Sequence, residues 1–271
     1  MKILNGAELA GYIKERQAKQ VRALVQSQHT NPKLAIIKTG DNSVVDLYVG
    51  LKSAYGEDIG VQVEVFTPSD SDLVEQVKKL NNDNTTHGII IQLPLANPDL
   101  TEDVLRAVDS QKDVDGLGSG HIYTPATAMA IDWLLNGFNV QFNDKKIAIV
   151  GRGRLVGGPL ARLWEGADYD VALYGRDADL KTELPHADII VSATGVPGLI
   201  TGEMIRNGAV VVDAGTASES GKIVGDLADD VRMREDLTIT PVKGGVGPLT
   251  VSALFDNVIS SARRYADQTR Q

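Results

Sequence analysis

Lys52 follows Tyr48 by four residues in a segment patterned as a helix, so an ammonium and a phenol stand on adjacent turns of one face. Farther along come the strand end Gln92-Leu93-Pro94-Leu95 and the acidic turn Lys112-Asp113-Val114-Asp115-Gly116. Gathered into one polar pocket, a lysine, a phenol, a carboxamide and a carboxylate are acid/base equipment for a nitrogen-rich organic substrate. A second marker is Gly151-Arg152-Gly153, directly after the apolar run Ile147-Ala148-Ile149-Val150, where a nucleotide-binding turn belongs. Substrate pocket plus nucleotide turn points to a dehydrogenase.

Each of these residues also has an ordinary explanation. A lysine beside an apolar stripe usually lays its stem on the core and its charge in water. A buried one has its pKa lowered and exchanges protons nearer neutrality. Tyr48 fits simple packing, Gln92 a loop cap, and Asp113 and Asp115 any acidic turn. Gly151, Gly153 and Gly157 are spaced one residue wider than the usual dinucleotide fingerprint, so a plain strand-to-helix turn explains them too. Arg176 shifts the balance. It stands just past the second strand of that half, where an arginine receives the extra phosphate of NADP, and Arg152 would complete a phosphate clasp. Asp177 beside it would suit a ribose hydroxyl, so NADP is favoured and NAD is kept open.

The elements that must position these groups alternate between strand and helix, the pattern of a parallel sheet covered by helices. In the first half, strands are expected at Leu34 to Ile37, Val61 to Phe66 and Gly88 to Gln92. Between the first two lies a helix with Ser43 and Asp46 as a capping pair, an apolar stripe of Val44, Leu47, Tyr48, Leu51, Tyr55 and Ile59, and Gly56 and Gly60 at its end. Gly116 to Thr127 reads as a boundary, followed by a linking helix from Ala128 to Leu135. The second half has strands at Lys146 to Val150, Asp170 to Tyr174, Asp188 to Ser192, Ala209 to Asp213 and Thr238 to Thr240, with a helix from Gly157 to Glu165. An amphipathic helix from Leu249 to Ala266 closes the chain. The expected fold is α/β in two domains. Residues 1–120 with 249–271 form an N-terminal catalytic domain to which the C-terminal helix returns, and residues 121–248 form a Rossmann-type dinucleotide-binding domain.

Global properties narrow the reading. With 271 residues the chain has room for two modest domains, and a net charge of −9 argues against general attraction to nucleic acid or anionic lipid. The absence of cysteine excludes disulfides, thiolate metal sites and a cysteine nucleophile, and no metal site is expected. Apolar runs such as Val210-Val211-Val212 are too short to span a bilayer, and Ile3-Leu4-Asn5-Gly6 is no signal-peptide core. A soluble, cytoplasmic protein is expected.

Together these segments resemble the bifunctional methylenetetrahydrofolate dehydrogenase/cyclohydrolase family, nearly end to end. The likeness runs through Gly40-Asp41-Asn42, Tyr48-Val49 with Lys52, Asn81, Asp83 and Gly88 leading into Gln92-Leu93-Pro94-Leu95, and Lys112 to Gly116. It continues in Gly151-Arg152 with Val156-Gly157 and Pro159, in Gly221 to Asp226, and in Thr240-Pro241-Val242 with Gly244-Gly245-Val246-Gly247-Pro248-Leu249-Thr250. The resemblance implies that Lys52 is the acid/base residue of the cyclohydrolase step, Tyr48 orients the folate, Gln92 tunes Lys52 and Asp115 binds the pterin nitrogens. It adds Leu93, Gly245, Val246 and Pro248 as substrate contacts, the 244–248 loop lining the cleft between domains. Gly151, Arg152, Gly153, Val156, Gly157, Arg176 and Thr216 become nucleotide contacts. The implied reaction oxidises 5,10-methylenetetrahydrofolate with NADP and hydrolyses the methenyl product to 10-formyltetrahydrofolate, in a homodimer.

The chain departs from the family pattern in places. Val45 stands where a serine is usual, Gly153 replaces a common serine, Lys243 a common proline and Tyr123 a cysteine, and the connection from Leu117 to Tyr123 is short. The missing hydroxyl at Val45 bears on hydrolase efficiency, and one alternative is a dehydrogenase with weak cyclohydrolase activity; because fold alone does not establish catalysis, a non-catalytic NADP-binding regulatory protein is another. A shikimate-type dehydrogenase matches the build but not the Tyr48 to Lys52 and Gln92 to Pro94 residues.

Overall fold

The structure is a computed structural model that describes residues 1–215, 217–219 and 222–269. In chain order the first half contains β1 (Lys2–Ile3), α1 (Gly6–Gln28), β2 (Lys33–Ile37), α2 (Ser43–Ile59), β3 (Gln62–Phe66), α3 (Leu73–Asn82), β4 (Gly88–Ile91) and α4 (Thr101–Ala107). The second half contains α5 (Ala126–Gly137), β5 (Lys146–Val150), α6 (Gly157–Glu165), β6 (Asp170–Tyr174), α7 (Leu180–Glu183), β7 (Ile189–Ser192) and β8 (Val210–Asp213). It ends with β9 (Ala217–Glu219), β10 (Lys222–Val224), α8 (Asp229–Arg232), β11 (Thr238–Ile239) and α9 (Val246–Gln268). The chain divides into an N-terminal unit, Gly11–Ala126 with Val251–Gln271, and a dinucleotide-type unit, Met1–Ala10 with Thr127–Thr250.

In the N-terminal unit β2 is the centre of a parallel sheet ordered β3-β2-β4. One face of that sheet, through Ala35, Ile37, Ile89 and Ile91, is buried against Leu73, Val77 and Leu80 of α3 and Val104 and Leu105 of α4. Apolar burial of this kind contributes about 25 cal/mol per Å² and fixes which strand ends point where. The segment Val251–Gln271, most of α9, groups with this unit, so the expected return of the C-terminal helix is borne out.

The dinucleotide-type unit has a parallel sheet ordered β1-β11-β8-β7-β5-β6. Chain order reverses between β5 and β7, which makes the carboxyl ends of those two strands the switch point where such sheets bind ligands. Its core packs Ala148, Val150, Ile190, Val211 and Ile239 with Leu184, Ile200 and Val231.

Two expectations are corrected. The expected first domain starts at residue 1, but Lys2–Ile3 pair with Thr238–Ile239 at the edge of the other sheet, and Met1–Ala10 belong to that unit. The apolar stripe of α2 is also rotated. Val45, Val49, Gly56 and Ile59 are its buried residues, whereas Val44, Leu47 and Leu51 are exposed at 37%, 51% and 50%. Both sets repeat with helical period, so periodicity alone could not choose between faces one residue apart.

Candidate active site

The buried positions of α2 run 45, 49, 56, 59, and residue 52 falls on the same face. Lys52 therefore points inward by register. The cap lies one residue before the expected Ser43: Asn42 Oδ1 accepts the amides of Val44 at 3.0 Å and Val45 at 3.2 Å. It ends at Gly60, whose φ of 82° forms the left-handed cap. Gly56, in the last turn, has no room for a side chain, since an added Cβ would lie 2.5 Å from Val63 Cγ2 and 3.2 Å from Phe255 Cε1. One turn past Lys52, Tyr55 stacks on Phe255 with ring centroids 5.1 Å apart. Its hydroxyl donates to Gln17 Oε1 at 2.8 Å and also contacts Ser252 Oγ at 3.0 Å. These contacts fix the roll of α2 and with it the aim of Lys52.

Gln92 follows β4, and its amide continues the ladder by donating to Ile37 O at 2.8 Å. Its side chain is 9% exposed, accepts from Lys52 Nζ at 2.5 Å through Oε1, and turns its Nε2 to Leu93 O at 3.2 Å. The carboxamide is thereby oriented with oxygen toward the ammonium. Leu93 and Pro94, joined by a cis peptide, carry the chain away from the sheet end.

The acidic turn divides its work. Lys112 donates to the carbonyls of Leu80 at 2.9 Å, Asn81 at 2.7 Å and Asp83 at 2.8 Å, closing the end of α3. Asp113 accepts the amides of Gly116 at 3.0 Å, Leu117 at 3.4 Å and Gly118 at 2.7 Å. Both are structural. Val114 packs where a Cβ on Gly88 would come within 2.9 Å, and Asn257 Nδ2 holds Val114 O at 2.9 Å and Thr124 O at 3.0 Å. Asp115 is thus presented by a clamped loop.

Electrostatics tie Asp115 to Lys52. Burial lowers the pKa of Lys52, and the charge of Asp115 partly restores it. Burial likewise raises Asp115, against the pull of Lys52 and with the repulsion of Asp113. The two shifts run toward each other, the direction expected where burial dominates both groups. Tyr48, one turn before Lys52 and half-buried, has its pKa raised by burial and stays a neutral hydroxyl donor. Val45, on the inward face, offers the lysine no hydroxyl.

In the other unit, the glycine turn has the shape a pyrophosphate needs. Gly151 has φ 110°, and a Cβ there would lie 2.4 Å from Ala193 O. A Cβ on Gly157 would lie 1.7 Å from Gly151 O, so α6 and the turn approach closer than any side chain allows. Gly153 faces open space instead. Val156, at the N-cap of α6, supplies no side-chain acceptor, the arrangement in which first-turn amides and the helix dipole meet an anion. Arg152 lies across the end of β6, its Nη2 donating to Leu173 O at 3.2 Å, over Gly175, where a Cβ would touch its Cδ at 3.3 Å. Gly175 immediately precedes exposed Arg176, so the two arginines share one rim. These residues fit a dinucleotide with an extra phosphate.

Gly245, Val246 and Pro248 also lie in this unit, at the start of α9, which begins three residues earlier than expected. Ala7 N donates to Gly244 O at 2.9 Å, and a Cβ on Gly6 would meet Gly245 O at 1.9 Å. Thr216 lies outside the described residues, as does Gly221 of the 221–226 motif. Sequence reasoning passed over Asn257, whose only signal was a polar residue on the apolar side of a helix. Among the described residues no helix is long and apolar enough to cross a membrane.

Comparison with known proteins gives two family matches: the tetrahydrofolate dehydrogenase/cyclohydrolase catalytic domain over residues 4–115, and its NAD(P)-binding domain over residues 125–266. The chain is 34% identical to the bifunctional protein FolD of Macrococcus caseolyticus, over 97% of this chain and 98% of the relative. Its structure is similar to the bifunctional FolD methylenetetrahydrofolate dehydrogenase/cyclohydrolase of Campylobacter jejuni, with a TM-score of 0.91, 32% identity and coverage of 97% and 99%. It is also similar to the Trypanosoma brucei methylenetetrahydrofolate dehydrogenase-cyclohydrolase complexed with NADP cofactor and inhibitor, with a TM-score of 0.91, 30% identity and coverage of 99% and 98%.

Proposed function

Because the chain belongs to the tetrahydrofolate dehydrogenase/cyclohydrolase family, matched in both of its domains, we propose that Lys52, Tyr48, Gln92 and Asp115 form the folate site of an NADP-dependent enzyme with both activities. The enzyme oxidises 5,10-methylenetetrahydrofolate to the methenyl form and hydrolyses that to 10-formyltetrahydrofolate, two successive steps of one-carbon metabolism. The observation that carries the site assignment is the inward Lys52, bonded to Gln92 and charge-coupled to Asp115.

Bound NADP supplies the hydride acceptor, and two folate nitrogens share the cation left on the one-carbon bridge. Tyr48 orients the ring system and Asp115 holds the pterin nitrogens, which supplies positioning. Lys52, its pKa lowered, takes a proton from the water that adds to the methenyl carbon and returns one to the departing nitrogen as the ring opens. Gln92 keeps Nζ aimed and, as a neutral acceptor, leaves the ammonium free to lose its proton. Leu93, Gly245, Val246 and Pro248 are further proposed substrate contacts. Gly151, Arg152, Gly153, Val156, Gly157, Arg176 and Thr216 are proposed to hold NADP. The corresponding domains are Gly11–Ala126 with Val251–Gln271 for folate and Met1–Ala10 with Thr127–Thr250 for the nucleotide. The family resemblance supports a homodimer, which light scattering of the purified protein would test, and a cytoplasmic location, which cell fractionation would test.

The deciding experiment incubates the protein with 5,10-methylenetetrahydrofolate and either NADP or NAD, following reduced cofactor and methenyl product separately. The proposal expects reduction preferring NADP, with little methenyl build-up. Cofactor binding without turnover would instead select the regulatory reading.

A further inference from the structure

The dinucleotide-type unit holds a second buried polar cluster that the steps above do not use. Asp226 is fully buried, and its Oδ2 accepts from Ser192 Oγ and from the Thr194 amide, each at 2.7 Å. Asp213, at the end of β8, accepts the amides of Gly215 at 3.1 Å and Asp226 at 3.0 Å on Oδ1. Its Oδ2 accepts from the Leu227 amide at 3.3 Å and from Arg232 Nη2 at 2.6 Å. Arg232 Nη1 in turn donates to Thr240 O at 2.5 Å.

Two buried carboxylates beside one guanidinium carry more negative charge than a sheet needs to hold together, and burial of charge is costly. The chain makes space for both. A Cβ on Gly215 would lie 2.0 Å from Asp226 Oδ1, and one on Gly225 would lie 2.0 Å from Asp213 Oδ2. Asp226 Oδ1 has no hydrogen-bond partner among the described residues.

What the cluster grips explains its cost. Ser192 and Thr194 flank Ala193, whose carbonyl is the atom that a Cβ on Gly151 would strike at 2.4 Å. Ala193 N also donates to Val150 O at 2.8 Å, and Ala214 N to Ser192 O at 2.8 Å. Any shift of residues 192–194 is therefore passed to the glycine turn by hard contact, because no compressible side chain lies between. Both gripped segments leave the carboxyl ends of β7 and β8, at and next to the switch point of the sheet.

We infer that Asp226, braced by Asp213 and Arg232, is a positioning residue for the nucleotide turn, fixing the 192–194 segment on which Gly151 rests and so setting the approach of the turn to NADP. This rests on the reading of that turn as the NADP site.

The test measures NADPH affinity by fluorescence, dehydrogenase kinetics and cyclohydrolase kinetics on the same preparations of full-length wild type, Asp226→Asn and Asp226→Ala. Asp226→Ala should weaken NADPH binding and raise the KM for NADP about tenfold, the loss expected for buried charged hydrogen bonds. Asp226→Asn, which keeps one acceptor oxygen, should recover part of it. Methenyl hydrolysis, which needs no nucleotide, should stay near wild type. NADPH affinity unchanged in folded variants, or both activities falling in parallel, would overturn the inference. If Asp226→Ala does not fold, Ser192→Ala decides: it removes one donor and should weaken NADPH binding about threefold, and no change overturns the inference. Wild type that fails to bind NADPH refutes the cofactor reading itself, whereas normal wild-type binding with unaltered variants refutes only the positioning role.

Discussion

Lys52 Nζ and Gln92 Oε1 lie 2.5 Å apart across 40 residues of sequence, one on the inward face of a helix and the other just past a strand end. A neutral acceptor holds the ammonium in place without stabilising its charge as a carboxylate would. Gln92→Glu should therefore raise the pKa of Lys52 and move the pH profile of methenyl hydrolysis to higher pH, since the deprotonated amine then appears later. Gln92→Ala should lower hydrolysis about 10- to 100-fold by freeing the amine. An unmoved profile in Gln92→Glu counts against the coupling.

Asp115 raises the pKa of Lys52, against the larger effect of burial. Asp115→Asn should therefore move the hydrolysis profile to lower pH, opposite in sign to Gln92→Glu, and raise the KM for folate in both reactions. A KM that rises in hydrolysis alone would contradict the pterin-binding role.

Gly157 has no space for a methyl group, because an added Cβ would sit 1.7 Å from Gly151 O. Gly157→Ala must push α6 away from the turn, at a cost of about 1–3 kcal/mol. NADP binding and dehydrogenase activity should fall while hydrolysis persists. Gly153→Ala, which meets open space, should leave stability unchanged; calorimetry of the pair checks both statements.

His87 gives the N-terminal unit an acid limit. Burial, then the nearby charge of Lys112, lowers its pKa from the ordinary 6.5 to about 4. Its Nδ1 accepts the Lys33 amide at 3.2 Å, and its ring meets Tyr265 edge-on at 5.3 Å. The unfolded chain then binds a proton below pH ~6.5 that the folded chain refuses until ~4, so stability falls across that window by up to roughly 3 kcal/mol. Asp83, whose pKa Thr86 and Thr85 hydrogen bonds depress, adds its loss only at lower pH, below the ordinary carboxylate value. Denaturant melts of His87→Gln against wild type should show a flatter slope between pH 6.5 and 4; parallel slopes would exclude His87 as the cause.

The sheet strands were legible because buried parallel strands are continuous apolar runs, as Ile147 to Val150 and Ile89 to Ile91 are. Lys52 was legible as a residue type, yet its inward aim was not: the stripe read from Val44, Leu47 and Leu51 is exposed, and only packing against Val63 and Phe255 selects the other face. The turn holding Asp115 could not be divided in advance. Lys112 and Asp113 spend their charges on backbone groups, and nothing in residue type separates them from their neighbour. Two-residue β1 carries too little pattern to assign, and the Asp213–Asp226 cluster depends mostly on partners 13 to 34 residues away.

The most direct measurement is a single time course with Lys52→Met, supplied with 5,10-methylenetetrahydrofolate and NADP, recording NADPH and methenyltetrahydrofolate together. The account predicts that NADPH still forms while methenyltetrahydrofolate accumulates, its hydrolysis reduced by at least about 100-fold, the scale of a lost general acid/base. Methenyl hydrolysis at the wild-type rate would contradict the role given to Lys52.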